Sequence, residues 1–507
     1  MTAKKTIFLT GASGKMGQEG LKQLLMKRDT FNIVALVLPT DKDKKIMSPY
    51  ANEPGLKIVW GDLTHYEDVL ACVTGADYVL HVAAMVSPLA DRYPALTTKV
   101  NIGSIQNIIQ AIKAQPDPQQ IRLVNIGSVA ETGDRQPPIH WGRVGDPIKI
   151  SVFDNYAITK AIAERMVIES GLQHWVSLRQ TGIIYTNMLA LDPMMFQLAF
   201  HQPLNTCFEW ITVHDAGRLL ANVCAEDVPE EFWGRVYNIG GGAQCRTTVN
   251  EFLHMTLAAA GIKDYKKVTE PNWFAHRNFH GQWYEDSDIL EEYLHFRSET
   301  VEDFINQVRR EAPFYTGLAR IVPPALIKKL VMQPMVQRKG GTLHWVHSNH
   351  QDRISAFFGS IEAWQQTPGW DAFPLPQPSQ TPQRLDHGYD ETKPRSELDL
   401  GDMQQAATFR GGLCLSTQMA PGDLRGQLRW QCAFGHTFEA SPTLVLLTGH
   451  WCPQCMPTPW NYDAIAQRNP FFAQVWYPHH TPDEAHFYAA SILEEEPVRD
   501  TNKIAMS

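Results

Sequence analysis

The sequence has few cysteines, no long apolar run and no excess of basic residues, and each shortage argues against a class of protein. No apolar run reaches the roughly 18 to 20 residues that a membrane-crossing helix needs. The 45 Lys and Arg are outnumbered by 54 Asp and Glu, for a net charge of −9, whereas nucleic-acid binders usually carry basic excess. The 8 cysteines show no disulfide-like pattern, which fits a reducing compartment. Because Lys4-Lys5 leads directly into a strand rather than a secretion signal, we expect a cytoplasmic protein without a transmembrane segment or a nucleic-acid partner.

The composition and the chain length indicate a folded protein of more than one unit. Hydrophobic residues make up 44% and charged residues 20% of the 507 residues, and such a length predicts two or three globular units. Short apolar β-rich runs alternate with helical stretches over the first 190 residues or so. These runs are 6–10, 32–38, 56–60, 78–83, 121–126 and 175–179. The alternation predicts an α/β fold with a doubly wound parallel (Rossmann) sheet.

The rest of the chain divides by composition. We predict an amino-terminal domain over 1–312, with a nucleotide-binding core to about 180 and a substrate lobe mainly over 181–312. A mostly helical extension (313–370), a Pro-rich linker (371–398), a compact cysteine-bearing unit (399–460) and a carboxy-terminal tail (461–507) follow.

A glycine-rich turn closes the first strand and opens the first helix. The segment T-G-A-S-G-K-M-G spans residues 10–17, and glycines there let the backbone turn tightly and approach a pyrophosphate at the helix N-terminus. Gly61-Asp62-Leu63 and His81-Val82-Ala83-Ala84 end the third and fourth strands, where a dinucleotide would lie. A plain βα turn is the alternative. The predicted cofactor-binding residues are Gly11, Ser13, Gly14, Lys15, Met16, Gly17, Asp62, Leu63, Ala83, Tyr156, Lys160 and Thr181.

Basic residues near this turn favour NADP(H) over NAD(H). An acidic residue at the end of the second strand would bind the 2′-hydroxyl of NAD, but this strand ends without one before Asp41. Lys42, Lys44 and Lys45 follow, and Lys15 lies in the glycine turn. A lysine run is also typical of a solvated loop.

A tyrosine, a lysine and a serine form the predicted catalytic centre. Tyr156 and Lys160 lie four residues apart at the start of a predicted helix, so they share one face. A neighbouring ammonium favours the phenolate and lowers the tyrosine pKa, as proton exchange with a carbonyl requires. Ser128 follows a strand, at the sheet edge where ligands bind, and its hydroxyl can donate to the substrate oxygen. A Tyr-x-x-x-Lys pair also occurs by chance on amphipathic helices.

These motifs together resemble the extended short-chain dehydrogenases/reductases over residues 1 to about 310. The resemblance implies Tyr156 as general acid/base, Lys160 as the partner that binds ribose and lowers the tyrosine pKa, and Ser128 as the residue that orients the carbonyl. Thr132 replaces the tyrosine usual in the family's serine segment. The resemblance also implies a homodimer through two helices of the sheet domain.

The family contains both reductases and sugar-nucleotide enzymes. We favour a ketone or aldehyde reductase, or an alcohol dehydrogenase, acting on a small hydrophobic substrate, because basic residues favour NADP(H) and the segment 273–284 is aromatic. Aromatic residues there could equally be ordinary core. An NAD-dependent sugar-nucleotide epimerase or dehydratase, and a non-catalytic NADP-sensing scaffold, are the alternatives.

Two Cys/His pairs in the carboxy-terminal part resemble a zinc ribbon. Cys432 and His436 precede Cys452 and Cys455, and two such pairs on tight turns, separated by a short predicted hairpin, suit one structural, tetrahedral zinc ion. His450 and Cys414 are possible substitute ligands, a redox Cys-x-x-Cys is the competing function, and a unit without metal is also possible.

The segment 321–336 (IVPPALIKKLVMQPMV) is apolar enough to touch a membrane surface or a hydrophobic ligand. We instead expect a buried helix interrupted by Pro334.

Overall fold

The structure, a computed structural model, describes residues 4–189, 193–311 and 321–493. The predicted end of the substrate lobe near Ala312, and the last part of the predicted tail, lie outside these residues. No helix of the described ranges is long and apolar enough to cross a membrane.

A seven-stranded sheet, parallel throughout, forms the centre of the amino-terminal half, as the alternating pattern predicts. Its strands are β1 Lys5–Thr10, β2 Phe31–Val37, β3 Leu56–Trp60, β4 Tyr78–His81, β5 Arg122–Ser128, β7 Trp175–Gln180 and β11 Arg235–Ile239. The order across the sheet is β11-β7-β5-β4-β1-β2-β3, so the doubly wound fold is confirmed. The direction of winding reverses between β1 and β4, and in such sheets ligands bind at the carboxyl ends of the strands beside that reversal. The sequence pattern missed β11.

Helices cover both faces of this sheet, because its strands are apolar on both sides. Those of the sheet region are α1 Lys15–Met26, α2 Asp41–Met47, α3 Tyr66–Val73, α4 Leu89–Arg92, α5 Pro94–Thr97, α6 Gly103–Lys113, α7 Asn155–Ile168, α8 Pro193–His201 and α9 Val213–Asn222. The helices after β11 are α10 Val249–Ala259, α11 Ser287–Leu294 and α12 Val301–Glu311.

Short strands build the remainder of the amino-terminal half. They are β6 Trp141–Gly142, β8 Ile183–Ile184, β9 Cys207–Glu209, β10 Ile211–Thr212, β12 Arg246–Thr248 and β13 Trp283–Tyr284. β6 pairs with β13, which connects the chain between Ser128 and Tyr156 to the region after β11.

In the described residues after 320, short helices alternate with irregular segments, and a small antiparallel sheet lies among them. The helices are α13 Pro324–Ile327, α14 Gln333–Gln337, α15 Thr342–His347, α16 Gln351–Phe358, α17 Ile361–Gln365, α18 Leu400–Phe409, α19 Tyr462–Ala466 and α20 Pro470–Trp476. The sheet consists of β14 Leu413–Cys414, β15 Leu428–Gln431 and β16 Thr437–Ala440.

This part folds back onto the chain between β5 and α7. The indole of Trp141 donates to the Ser379 carbonyl at 2.9 Å, within the segment predicted as a linker. The phenol of Tyr462 donates to the Ile150 carbonyl at 2.8 Å, within the predicted tail. Both segments therefore pack on the amino-terminal half, and the predicted domain boundaries stay predictions.

Candidate active site

The glycine turn forms a tight cradle at the point where the sheet reverses direction. Gly11 has φ +71°, and a Cβ on it would lie 2.8 Å from the Ala83 nitrogen after β4. A Cβ on Gly17 would lie 1.9 Å from the Gly11 carbonyl oxygen. Gly14 precedes α1, and no side chain caps the N–H groups there. The cradle thus leaves backbone donors and a helix dipole for a phosphate, which is what a dinucleotide requires.

The other predicted cofactor residues lie within the cradle or directly after strands of the same sheet. Ser13, Lys15 and Met16 lie at the start of α1, and Thr181 directly follows β7. Asp62 and Leu63 follow β3. One Asp62 carboxylate oxygen accepts the Thr64 N–H at 2.8 Å, which orders this loop.

The catalytic side chains meet at the carboxyl end of β5. Ser128 is the last residue of β5, and its side chain lies close enough to the Tyr156 phenol on α7 to lower the pKa of that phenol. The Lys160 ammonium lies 5.9 Å from the centre of the Tyr156 ring and donates to the Ile126 carbonyl at 2.6 Å. The structure therefore brings the three predicted residues together, on one strand and one helix.

Local interactions fix where α7 begins. The Asp154 carboxylate accepts the Ala157 N–H at 2.8 Å and caps the helix. The Asn101 amide donates to the Thr159 hydroxyl at 2.9 Å. Asn101 lies in the π-helical segment Thr98–Ile102, a wider helix often found at functional sites. These contacts fix the positions of Tyr156 and Lys160 relative to β5.

Burial controls the charges of this centre. Burial raises the pKa of the Tyr156 phenol, and the hydrogen bond from Ser128 offsets only part of the rise. Burial lowers the pKa of Lys160 to about 8, although Glu131 and Glu164 oppose the shift. Without a bound cofactor the tyrosine is therefore neutral, and the lysine titrates close to physiological pH.

A buried charged cluster lies directly behind the catalytic residues, and sequence reasoning missed it. It consists of Glu131, Glu164, Arg179 and His450. Glu131, Glu164 and Arg179 have no exposed side-chain surface. Arg179 Nη2 donates to Glu164 Oε1 at 2.6 Å and to the Thr448 carbonyl at 2.8 Å. His450 Nε2 lies 3.0 Å from Glu164 Oε1. The cluster therefore joins β7, α7 and the carboxy-terminal part.

The two carboxyl groups of the cluster differ in charge. Burial raises the pKa of Glu164, but the charge of Arg179 and the hydrogen bonds from His450 and Arg179 together outweigh burial and hold the pKa below its ordinary value. Burial and the neighbouring Glu164 raise the pKa of Glu131 well above its ordinary value. Glu164 is thus the ionised partner of Arg179, and Glu131 favours its protonated form.

Glu131 links the cluster to the catalytic serine. Its Oε1 accepts the Ser128 backbone N–H at 2.7 Å, while the Ser128 Oγ accepts the Ala130 N–H at 3.1 Å. This reciprocal arrangement is a capping box. A serine followed three residues later by glutamate is a sequence signal for such a box, so this pair could have been recognised.

The four predicted metal ligands also come together. One Sγ or Nδ1/Nε2 atom of each of Cys432, His436, Cys452 and Cys455 lies within 4.8 Å of all the others. The Cys432 and Cys455 sulfurs are 3.7 Å apart, close to the roughly 3.8 Å edge of a tetrahedron with zinc–sulfur bonds of about 2.3 Å. The hydrogen bond between Cys452 and Cys455 lowers the pKa of Cys452 to about 5 and raises that of Cys455, so only the first of these two thiols favours the thiolate.

Details of this unit differ from expectation. The β15–β16 hairpin flanks the first Cys/His pair, rather than lying between the two pairs, and Gly435 turns within it at φ +82°. His450, a possible substitute ligand, instead contacts Glu164. Cys414 lies on β14 and is not part of the four-residue group.

The aromatic segment 273–284 is largely core. Trp273, Phe274, Trp283 and Tyr284 are all buried, and the Trp283 indole donates to the Phe208 carbonyl at 3.2 Å. The alternative of ordinary core therefore describes these four residues, and they give no support to a hydrophobic substrate.

Comparison with known proteins agrees with this geometry. Residues 11–187 match the family model described as NAD(P)H-binding, and this range contains the glycine turn, Ser128, Tyr156 and Lys160. The amino-terminal half therefore contains an NAD(P)H-binding domain.

Individual relatives are more distant. The chain is 29% identical over 114 residues to a UDP-glucose 4-epimerase of Rickettsia felis, which is 22% of this chain and 33% of that protein. It is 26% identical over 270 residues to 4-hydroxy-2-methyl-3-oxo-4-farnesyl-3,4-dihydroquinoline-1-oxide ketoreductase of Stigmatella aurantiaca, which is 50% of this chain and 73% of that protein. The structure of dTDP-glucose 4,6-dehydratase from Bacillus anthracis aligns with a TM-score of 0.48 at 16% identity, over 60% of this chain and 96% of that one.

We expect Glu164→Gln to destabilise the protein by roughly 3–5 kcal/mol, because Arg179 would remain buried without its charged partner. Urea unfolding measures this change. Glu226→Gln, which removes the same charge from an exposed position, should change stability by less than about 0.5 kcal/mol. Equal effects of the two substitutions would show that the buried ion pair does not stabilise the fold.

Proposed function

We propose that the protein is an NADP(H)-dependent oxidoreductase that interconverts a small carbonyl compound and its alcohol. The observation that carries the proposal is the meeting of Ser128, Tyr156 and Lys160 beside the glycine cradle. A bound nicotinamide would supply or accept the hydride.

The chain itself would provide binding, orientation and a proton. The neutral Tyr156 phenol donates its proton to the carbonyl oxygen during reduction, and Ser128 donates a hydrogen bond to that same oxygen. Lys160 lies close enough to the Tyr156 ring to stabilise the phenolate that remains. Glu131 holds the Ser128 backbone in place, so that the hydroxyl keeps its direction.

The curated relatives include both a ketoreductase and UDP-glucose 4-epimerases, and they support the two branches equally. The ketoreductase match covers 73% of that enzyme. The UDP-glucose 4-epimerase match covers 33% of that enzyme, so this chain aligns with only a third of its length. A sugar-nucleotide epimerase or dehydratase using the same three residues is the second candidate, because several such relatives match. Stoichiometric NAD retained through purification, without net redox turnover, would favour it.

Tyr156→Phe should lower kcat by at least about 1000-fold and leave the Kd for NADPH within about twofold, since only the proton donor is lost. Tyr293→Phe, a half-buried tyrosine on α11, is the matched control and should keep full activity. Turnover is followed by NADPH absorbance with a panel of ketones and aldehydes. Full activity of Tyr156→Phe would refute the assignment of the catalytic acid.

Preference for NADP(H) is supported by the charges beside the cradle. Burial and the charge of Lys42 lower the pKa of Lys15, so the two cations are close enough to repel each other. The Asp43 carboxylate accepts the Thr40 hydroxyl, within the cap of α2. The buried Asp43 is thus hydrogen-bonded within its own helix, and the exposed Lys42 would contact a 2′-phosphate.

Lys42→Ala should raise the Kd for NADPH about tenfold, which corresponds to about 1.4 kcal/mol, and leave the Kd for NADH unchanged. Lys113→Ala, the same charge change at another exposed site, should alter neither. Fluorescence titration of the bound nicotinamide gives both constants. A wild-type protein that binds NADH tenfold more tightly than NADPH would reject this preference.

The Cys432, His436, Cys452 and Cys455 group would hold one structural zinc ion. Three sulfurs and one imidazole fill a tetrahedral shell and leave no position open for catalysis. Because His450 and Thr448 lie just before Cys452 and contact the buried cluster, zinc at this site would help to hold them there. A redox Cys-x-x-Cys is the alternative.

Elemental analysis should find one zinc per chain, and Cys452→Ser should reduce it to below about 0.2 because a ligand is removed. Cys414→Ser, which changes a nearby cysteine outside the group, should retain the metal. Wild-type protein prepared without chelators yet devoid of zinc would exclude the metal site.

The remaining expectations from the sequence are part of this proposal. They are a cytoplasmic location, a small-molecule substrate without a nucleic-acid partner, and a homodimer.

A further inference from the structure

Within the segment 321–336, the residues from Pro324 onward form a helix that is buried on one side only. α13, the π-helical turn Lys328–Met332 and α14 follow each other without a break. Met332 and Val336 point into the core beside Phe274 and Leu343. The expectation of a buried helix is therefore correct for one face and wrong for the other.

The opposite side is apolar and exposed to solvent. Ile321 is 77%, Leu330 67% and Leu326 47% exposed. Leu326 and Leu330 are four residues apart, so they share one helix face. Val322 and Val331 are exposed as well. We call these five residues the apolar surface: Ile321, Val322, Leu326, Leu330 and Val331. A water-facing helix normally carries polar residues here, and a contiguous exposed apolar patch marks an interaction site.

Basic residues border the apolar surface. Lys329, Arg338 and Lys339 are exposed. Residues 321–351 contain four Lys and Arg and no Asp or Glu, although the whole chain has a net charge of −9. One of the four, Lys328, pairs with Glu270, and the other three are Lys329, Arg338 and Lys339. Exposed leucines bordered by lysine and arginine are the pattern of a helix that lies in the plane of an anionic bilayer surface.

We propose that the apolar surface rests on the anionic surface of a lipid bilayer, with the leucines in the acyl boundary and the basic residues at the headgroups. Charge complementarity selects this occupant, because a second copy of the chain would present the same positive charge. The buried face holds the helix in place, so binding does not need a folding step. Long basic side chains also reach outward while their stems cover apolar area. The proposal is independent of the proposed reaction.

Vesicle flotation with the full-length protein tests this proposal. The probes are vesicles of phosphatidylcholine alone and vesicles of phosphatidylcholine with about 30% phosphatidylglycerol. The wild type should float with the anionic vesicles, at least about fivefold more than with the neutral ones, and less at high salt. The variant Leu326→Ser/Leu330→Ser should lose at least about tenfold in bound fraction.

The control is Met26→Ser/Ile289→Ser, which removes two exposed apolar side chains elsewhere and should float like the wild type. Circular dichroism and NADPH binding check that both variants are folded. Wild-type protein that ignores anionic vesicles, or leucine variants that float as well as the wild type, would overturn the proposal. A wild-type dimer that becomes monomeric in the leucine variant would overturn it in favour of a second copy.

Discussion

The ion pair between Arg179 and Glu164 is the interaction on which the rest of the structure depends. Both side chains are fully buried, and a buried charge is tolerated only where its partners are complete. Glu164 provides the countercharge, and Thr448 and His450, from far along the chain, supply a carbonyl and an imidazole. The sheet supplies Arg179, the helix α7 supplies Glu164, and the carboxy-terminal part supplies a carbonyl and an imidazole, so all three contribute to one buried network.

These contacts place the carboxy-terminal part beside the candidate active site. Residues 129–155, which lie between Ser128 and Tyr156, contact the carboxy-terminal part. Asp146 in this chain pairs with His387 at 3.0 Å, and Lys149 donates to the Val475 carbonyl at 3.0 Å. Because the two catalytic residues stand at the ends of this chain, whatever fixes the chain also fixes the distance between them. The carboxy-terminal part thus acts as a structural support for the catalytic centre.

The catalytic centre and the apolar surface each place side chains in an environment that costs free energy, and the two costs are offset in different ways. Burial keeps Tyr156 neutral and brings the Lys160 pKa to about 8, because a charge is costly away from water. The apolar surface exposes leucines beside basic side chains, although apolar area in water is also costly. The first cost is offset by precise polar contacts within the chain. The cost of the exposed apolar area is offset by a contact outside the chain, and a bilayer surface supplies both an apolar region and negative charge.

The sequence by itself determined the doubly wound sheet and the glycine cradle, and it predicted that Ser128, Tyr156 and Lys160, and separately the Cys432, His436, Cys452 and Cys455 group, would come together. All of these depend on short-range spacing: period-two and period-3.6 patterns, a turn that only glycine can make, and residues four apart on a helix. Only the tertiary structure decided that His450 contacts Glu164 rather than joining the metal ligands, and that Leu326 and Leu330 face water. These outcomes join residues hundreds of positions apart or depend on which helix face finds a neighbour, and no local pattern encodes either.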